Sequence, residues 1–177
     1  MHVTLKSGSQ EEVTYSNAEF LKSKLTFMKD ENGQWRCLDK DNNMVMAEWE
    51  NEIMHASAKV LCEDQPRGFS ILNVGFGLGI IDEMIQTYKP RRHVIIEPHP
   101  DAIAFMREQG WDQRAGVEIF EGTWEDFLQP ENDEDGSIAM KLGVFDAIYF
   151  DTYSQDYQGT CGFAYAQIFD AFLNACL

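Results

Sequence analysis

The chain has 177 residues, 44% hydrophobic and 25% charged, a balance that suits one water-soluble folding unit with a packed core and excludes a disordered or fibrous chain. Its 14 Lys and Arg stand against 30 Asp and Glu, and the net charge of −16 repels nucleic-acid phosphates and anionic lipid while drawing in basic protein surfaces. An acidic balance also serves plain solubility, so charge by itself names no partner.

Residues 1–23 are polar until Phe20 and Leu21, which predicts a leader that turns helical near Asn17. Leu25 to Met28 and Trp35 to Leu38 flank Asn32-Gly33, a strong hairpin signal. Residues 1–45 are therefore expected to form a leader with a helix and a small hairpin, ahead of a main domain over 46–177. From Ala47 to Cys62 the residues Trp49, Ile53, Met54, Ala56, Val60 and Leu61 recur at three- and four-residue steps, which predicts a helix with one apolar face leading into the core.

Apolar runs then alternate with helical patterns. Phe69 to Val74 precedes a helix through Ile80, Ile81, Met84, Ile85 and Tyr88; His93 to Ile96 precedes a helix through Ile103 and Met106. Val117 to Phe120 is a third run, residues 129–143 read as a polar loop, and Val144 to Phe150 is a fourth run followed by an apolar helix from Phe163 to Leu173. This alternation predicts an α/β fold with helices covering a parallel sheet. The acidic stretch Glu131 to Gly136 lacks the ligand spacing of a calcium loop and reads as solvated. Cys37, Cys62, Cys161 and Cys176 have neither zinc-ligand nor disulfide-framework spacing and read as reduced thiols, with no metal expected. No apolar run approaches the ~20 residues of a membrane helix, and no signal-peptide core is visible. The expected location is the cytoplasm, with the nucleus as a second compartment.

The central motif runs from Ile71 to Ile80, a buried-strand pattern that ends in Gly75, Gly77 and Gly79 and opens into a helix. Glycines there let backbone approach a ligand, and N–H groups at the helix start can meet a polar group. A tight turn made for packing would use the same residues. The next run ends in Glu97, where a carboxylate at a strand tip can accept both hydroxyls of a ribose. Loop and acid together favour an adenosine-containing ligand, although a dehydrogenase shares both. The Gly-x-Gly-x-Gly spacing, together with Trp124-Glu125 after the third run, favours S-adenosylmethionine over a dinucleotide; the indole can cover an adenine or be plain core. Asp151, at the end of the fourth run, lies at the sheet edge where open α/β sheets bind ligands, or else caps a following helix.

Five segments in order, Met46 to His55, Val74 to Ile80, Glu97 to Pro100, Gly122 to Asp126 and Tyr149 to Tyr153, resemble the guanidinoacetate methyltransferase and type IV protein arginine methyltransferase families. Asn73, His99-Pro100 and Gly110-Trp111 resemble the arginine N-methyltransferase 2 type, which modifies the δ nitrogen of protein arginine; guanidinoacetate methyltransferases usually carry Glu at the position of Asn73. The resemblance implies a Rossmann-like class I S-adenosylmethionine-dependent methyltransferase fold and an arginine-bearing protein as substrate. It implies cofactor contacts from Met46, Met54, Gly75, Phe76, Gly77, Leu78, Gly79, Ile80, Glu97, Pro98, His99, Trp124 and Glu125, with Phe20 as a lid. Glu50 and Asp151 would hold the guanidino group, Asp151 also reaching the cofactor. The resembling families have a seven-stranded sheet, so the chain is expected to be truncated after the fourth strand. A cofactor-binding module without catalysis is the other reading, and guanidinoacetate the other acceptor.

Overall fold

The computed structural model describes residues 17–128 and 142–152. The polar loop over 129–141, the acidic stretch within it, the apolar helix after Phe163, Tyr153, Cys161 and Cys176 lie outside the described residues.

Two sheets form. The first is antiparallel, order β1-β2-β3, from β1 (Thr26–Lys29), β2 (Trp35–Leu38) and β3 (Met44–Ala47), preceded by helix α1 (Asn17–Lys22). The expected hairpin is present, with Lys29 opposite Trp35; Asp30 shapes its turn by accepting the N–H groups of Asn32 and Gln34 on Oδ1, at 2.8 and 3.0 Å. The third strand is an addition to the expected hairpin: Met44 to Ala47 pairs with β2 just ahead of the helical periodicity.

A single 3-10 turn, Glu48–Glu50, separates β3 from α2 (Asn51–Cys62). The expectation of one apolar face on this helix is corrected, because its sequence carries two apolar stripes. Met54, Ala58 and Cys62 are buried, whereas Trp49, Ile53 and Val60 are 69%, 65% and 85% exposed. Only the first stripe meets α3 and the sheet, since a helix can press about 100° of its surface onto a core.

The second sheet is parallel, order β6-β5-β4-β7, from β4 (Ser70–Val74), β5 (Arg92–Glu97), β6 (Val117–Glu121) and β7 (Ala147–Phe150). Helices α3 (Ile80–Thr87) and α4 (Pro100–Glu108) carry the chain from β4 to β5 and from β5 to β6; α5 (Trp124–Leu128) follows β6. Central β4 is buried along its whole length and β5 nearly so, as continuous apolar runs require when both faces of a parallel sheet are covered. Ile71, Leu72, Val94, Ile95 and Ile96 are fully buried, each contributing roughly 1.5–3 kcal/mol. The fourth strand is shorter than its apolar run: Val144 is exposed, and Asp146 instead accepts the Ser70 N–H on Oδ2 at 2.7 Å. Among the described residues no helix is long and apolar enough to cross a membrane.

The small sheet packs on α4, where the Phe27 and Phe105 rings stack at 4.3 Å. Asp101, in the first turn of α4, holds the segment leading into β1 by accepting the Leu25 N–H at 2.9 Å and pairing with Lys24 at 2.7 Å. The segment before residue 46 thereby becomes one wall of the space above the parallel sheet.

Candidate functional site

The chain order reverses between β4 and β7, so the crevice beyond their C-terminal ends is where an open α/β sheet receives a ligand. A cavity of about 350 Å³ lies there, a size in the range that small ligands fill. Three strand ends reach it with Gly75, Glu97 and Asp151, and α1 and the small sheet roof it with Phe20, Phe27, Cys37 and Met46.

The glycine loop is held open for close approach. Gly75 has φ of 95°, and a Cβ there would collide with the Asp151 carbonyl oxygen; Gly77, at φ 57°, would collide with the Met46 sulfur. Neither position accepts a side chain without moving its neighbour. Asn73 steadies the loop from below, its buried amide donating to the Gly75 carbonyl at 3.0 Å and to Asp82 Oδ1 at 2.8 Å.

Every N–H from Gly75 to Gly79 already has an acceptor. Gly75 donates to the Ile96 carbonyl at 2.9 Å, Phe76 to Glu97 Oε2 at 2.8 Å, Leu78 to the Met46 sulfur at 3.2 Å and Gly79 to the Phe76 carbonyl at 2.8 Å. Gly77 N–H also bonds to the Glu97 carboxylate. The N–H groups expected to meet a polar group are those of the first turn of α3, which begins beyond the loop at Ile80. What the loop itself presents is bare Cα surface.

Glu97 is 6% exposed and accepts the His99 N–H on Oε1 at 2.8 Å as well as Phe76 on Oε2. Burial pushes its carboxyl above the usual range, and the His99, Phe76 and Gly77 N–H groups pull it back. An ionised carboxylate has about four lone-pair positions, so acceptor capacity remains for hydroxyl donors. His99 spends both ring nitrogens on structure: Nδ1 accepts the Asp101 N–H at 3.1 Å as the N-cap of α4, and Nε2 lies 3.1 Å from the Ser23 carbonyl. With Nδ1 accepting, Nε2 carries the proton, and burial lowers the ring's pKa in keeping with this neutral form. The Phe20 ring meets His99 edge-on at 5.3 Å, which fixes it over the cavity.

At the other end stand two acids. Glu50, on the 3-10 turn, and Asp151, just past β7, both line the cavity. Burial pushes the Glu50 carboxyl up, the Asp151 charge adds to the push, and the Ala47 N–H opposes it. Between them and Met54 lies Tyr149, whose hydroxyl is 3.2 Å from Asp151 Oδ2 and 3.4 Å from the Met54 sulfur. Burial, then Asp151, push the phenol up to about 12.

Of the residues singled out from sequence, the cavity brings together Phe20, Met46, Glu50, Met54, Gly75, Phe76, Gly77, Glu97, Pro98, His99 and Asp151. Leu78, Gly79 and Ile80 do not line it: the chain has turned into α3 by then, and they border a separate cavity with Trp35 and Trp111. Trp124 does not line it either. Its ring packs edge-on against Phe150 at 5.8 Å, partly buried against the core cluster of Leu72, Val74, Val94 and Ile96. The side chain of Glu125 lies outside the described residues. Sequence reasoning missed Tyr149 and the wall residues Leu25, Phe27, Cys37 and Val45. The alternation across Val45 and Ala47 was the one available signal for the latter.

The sequence model of the guanidinoacetate N-methyltransferase family matches residues 18–171. The protein arginine N-methyltransferase 2 of Aspergillus oryzae is 44% identical over 142 residues, 80% of this chain and 31% of that protein. The protein of the same name in Saccharomyces cerevisiae is 39% identical over 155 residues, 85% of this chain and 35% of that one. The chain thus spans about a third of the length of these relatives. A spermidine synthase solved in complex with the transition-state analogue AdoDATO shares the fold, with a TM-score of 0.63 at 15% identity over 87% of this chain and 51% of that chain.

Proposed function

The chain belongs to the guanidinoacetate N-methyltransferase family, and from that premise we propose that it binds S-adenosylmethionine and methylates the guanidino group of arginine in a protein substrate, at the δ nitrogen. The observation that carries the reading is the meeting, in one cavity, of a glycine loop with its strand-tip acid and of two carboxylates from separate elements. The loop suits the adenosyl part of this donor. Its own N–H groups are engaged within the chain, and bare Cα surface beside Glu97 fits a nucleoside with free hydroxyls. Bound there, the cofactor supplies an electrophilic methyl group on its sulfonium.

The chain's own residues handle the acceptor. Arginine stays protonated at neutral pH, with its nitrogen lone pairs delocalised. Glu50 and Asp151 clamp the planar cation by charge-assisted hydrogen bonds and orient one nitrogen toward the donor. As that nitrogen takes the methyl group it loses a proton. Glu50, whose carboxyl is pushed upward, is the better-placed group to receive it. The −16 charge of the chain favours a basic protein partner.

The test is incubation with methyl-labelled cofactor and, separately, an arginine-rich protein and guanidinoacetate, read by mass spectrometry. Label in the protein, on an internal arginine nitrogen, is the expected result. Label in the small molecule alone overturns the protein-substrate reading and favours the acceptor for which the family is described. Binding of S-adenosylhomocysteine without methyl incorporation identifies a non-catalytic module.

A further inference from the structure

Tyr149 has no part in the roles so far assigned, yet it stands between the groups that matter. β7 alternates: Ile148 and Phe150 pack on the core with Leu72 and Val74, while Tyr149 packs on the opposite face with Met54. A phenylalanine would fill the same space. The residue is half-buried, and a hydroxyl withdrawn from water costs free energy unless it is bonded. The hydroxyl has three side-chain partners: the thioether of Met54 at 3.4 Å, Oδ2 of Asp151 at 3.2 Å, and the hydroxyl of Ser57, which acts on it as a donor. A carboxylate is by far the better acceptor, so the proton goes to Asp151.

Asp151 needs such a partner. Its backbone is fixed, the N–H donating to the Val74 carbonyl at 3.1 Å and the carbonyl seated against Gly75. Its side chain, however, is exposed at the rim of the cavity, and among the described residues Tyr149 is the hydrogen-bond donor that reaches it. We propose that Tyr149 is a positioning residue for the acceptor: its hydroxyl holds Oδ2 of Asp151, fixing the carboxylate's orientation relative to Glu50 so that the two clamp one planar guanidinium. With the phenol pushed up to about 12, the proton stays in place across any working pH. One carboxylate oxygen is tethered and lone pairs remain for the guanidinium. The proposal rests on the methyltransferase reading above and adds a residue through which acceptor affinity is set.

The experiment compares wild type and Tyr149→Phe in the 177-residue chain. Four quantities are read: S-adenosylhomocysteine affinity by calorimetry, KM and kcat for an arginine-rich peptide, and peptide affinity in the presence of S-adenosylhomocysteine. The expected result is donor affinity within twofold of wild type, which also certifies the fold, and a KM for peptide about tenfold higher with kcat within threefold, the size of one charge-assisted hydrogen bond. Tyr149→Phe added to Asp151→Asn is expected to weaken peptide binding no further, because the hydroxyl acts through that carboxylate. An unchanged KM in an active enzyme overturns the proposal. So does an equal loss of donor affinity, which marks a merely structural residue, or a fully additive double variant. A wild type that binds S-adenosylhomocysteine but methylates neither peptide nor guanidinoacetate takes down the methyltransferase reading, and this proposal with it.

Discussion

At the glycine-loop end of the cavity the polar groups are met mostly by main chain: Glu97 by the N–H groups of Phe76, Gly77 and His99, and the loop's remaining N–H groups by the Ile96 and Phe76 carbonyls and the Met46 sulfur. At the Glu50 end the polar groups are side chains facing one another, two acids and a phenol, partly in water and with like charges close enough to raise the Glu50 pKa. The first end is finished before a ligand arrives. The second is left in electrostatic debt, which the proposed guanidinium acceptor would settle. Donor binding should accordingly depend on backbone shape, and acceptor chemistry on individual charges.

The sharpest way to separate the two ends is Asp151→Asn. The amide keeps the shape and one acceptor oxygen but loses the charge, so turnover is expected to fall by about 10²-fold or more while S-adenosylhomocysteine affinity, measured by calorimetry, stays unchanged. A parallel loss of donor affinity would show that the ends are one unit. Gly75→Ala tests the place where they do touch. The new methyl group must take the position of the Asp151 carbonyl oxygen, at a φ that L residues rarely adopt. We expect about 1–3 kcal/mol lower stability in denaturant melts, with donor affinity and turnover falling together, since the shift displaces both walls. Glu97→Gln is milder. One of the N–H groups from Phe76 or His99 would face the new amide NH2 instead of an oxygen, and donor affinity is expected to drop about tenfold while turnover at saturating donor stays within threefold.

The same contrast decides what could be read without coordinates. β4, β5 and the glycine loop are local features: a buried run, three alternate glycines and an acid at the next strand tip follow one another in the chain, and backbone sterics dictate each. The acceptor end has no such grammar. Glu50 looks like an ordinary acid ahead of a helix, and only the resemblance of Met46 to His55 to a family gave it a role. Tyr149 reads as one more apolar residue in a strand: its hydroxyl's partner is only two residues on, but the strand alternation says nothing of a side-chain bond past the strand's end. β3 was missed because four residues are too short for alternation to outweigh the helical spacing that follows. Along the 3-10 turn and α2, Trp49, Ile53 and Val60 satisfy the helical period as well as Met54 and Ala58 do, and only the position of the sheet chooses between the stripes. The packing of Trp124 against Phe150 is hidden for a related reason, since proximity to the third strand's end does not say which side of the sheet the indole takes.

The smallest expected effect bears most directly on why the acceptor end is built as it is. Burial and Asp151 raise the Glu50 carboxyl above its unfolded value of 4.5, so the native state holds that proton more tightly than the unfolded chain. Below pH 4.5 both states are protonated and the site costs nothing; as pH rises through the raised folded value, ionising Glu50 in place removes stability that the unfolded chain does not lose. Glu50→Gln abolishes that penalty. The variant is therefore expected to melt higher than wild type at pH 7.5, by less than about 1 kcal/mol because the group is partly solvated, and to match it at pH 4. Turnover should be lost at both values. A variant less stable than wild type at pH 7.5 would mean that the Glu50 charge is already compensated in the free protein, and that the acceptor end, like the donor end, is complete before its ligand binds.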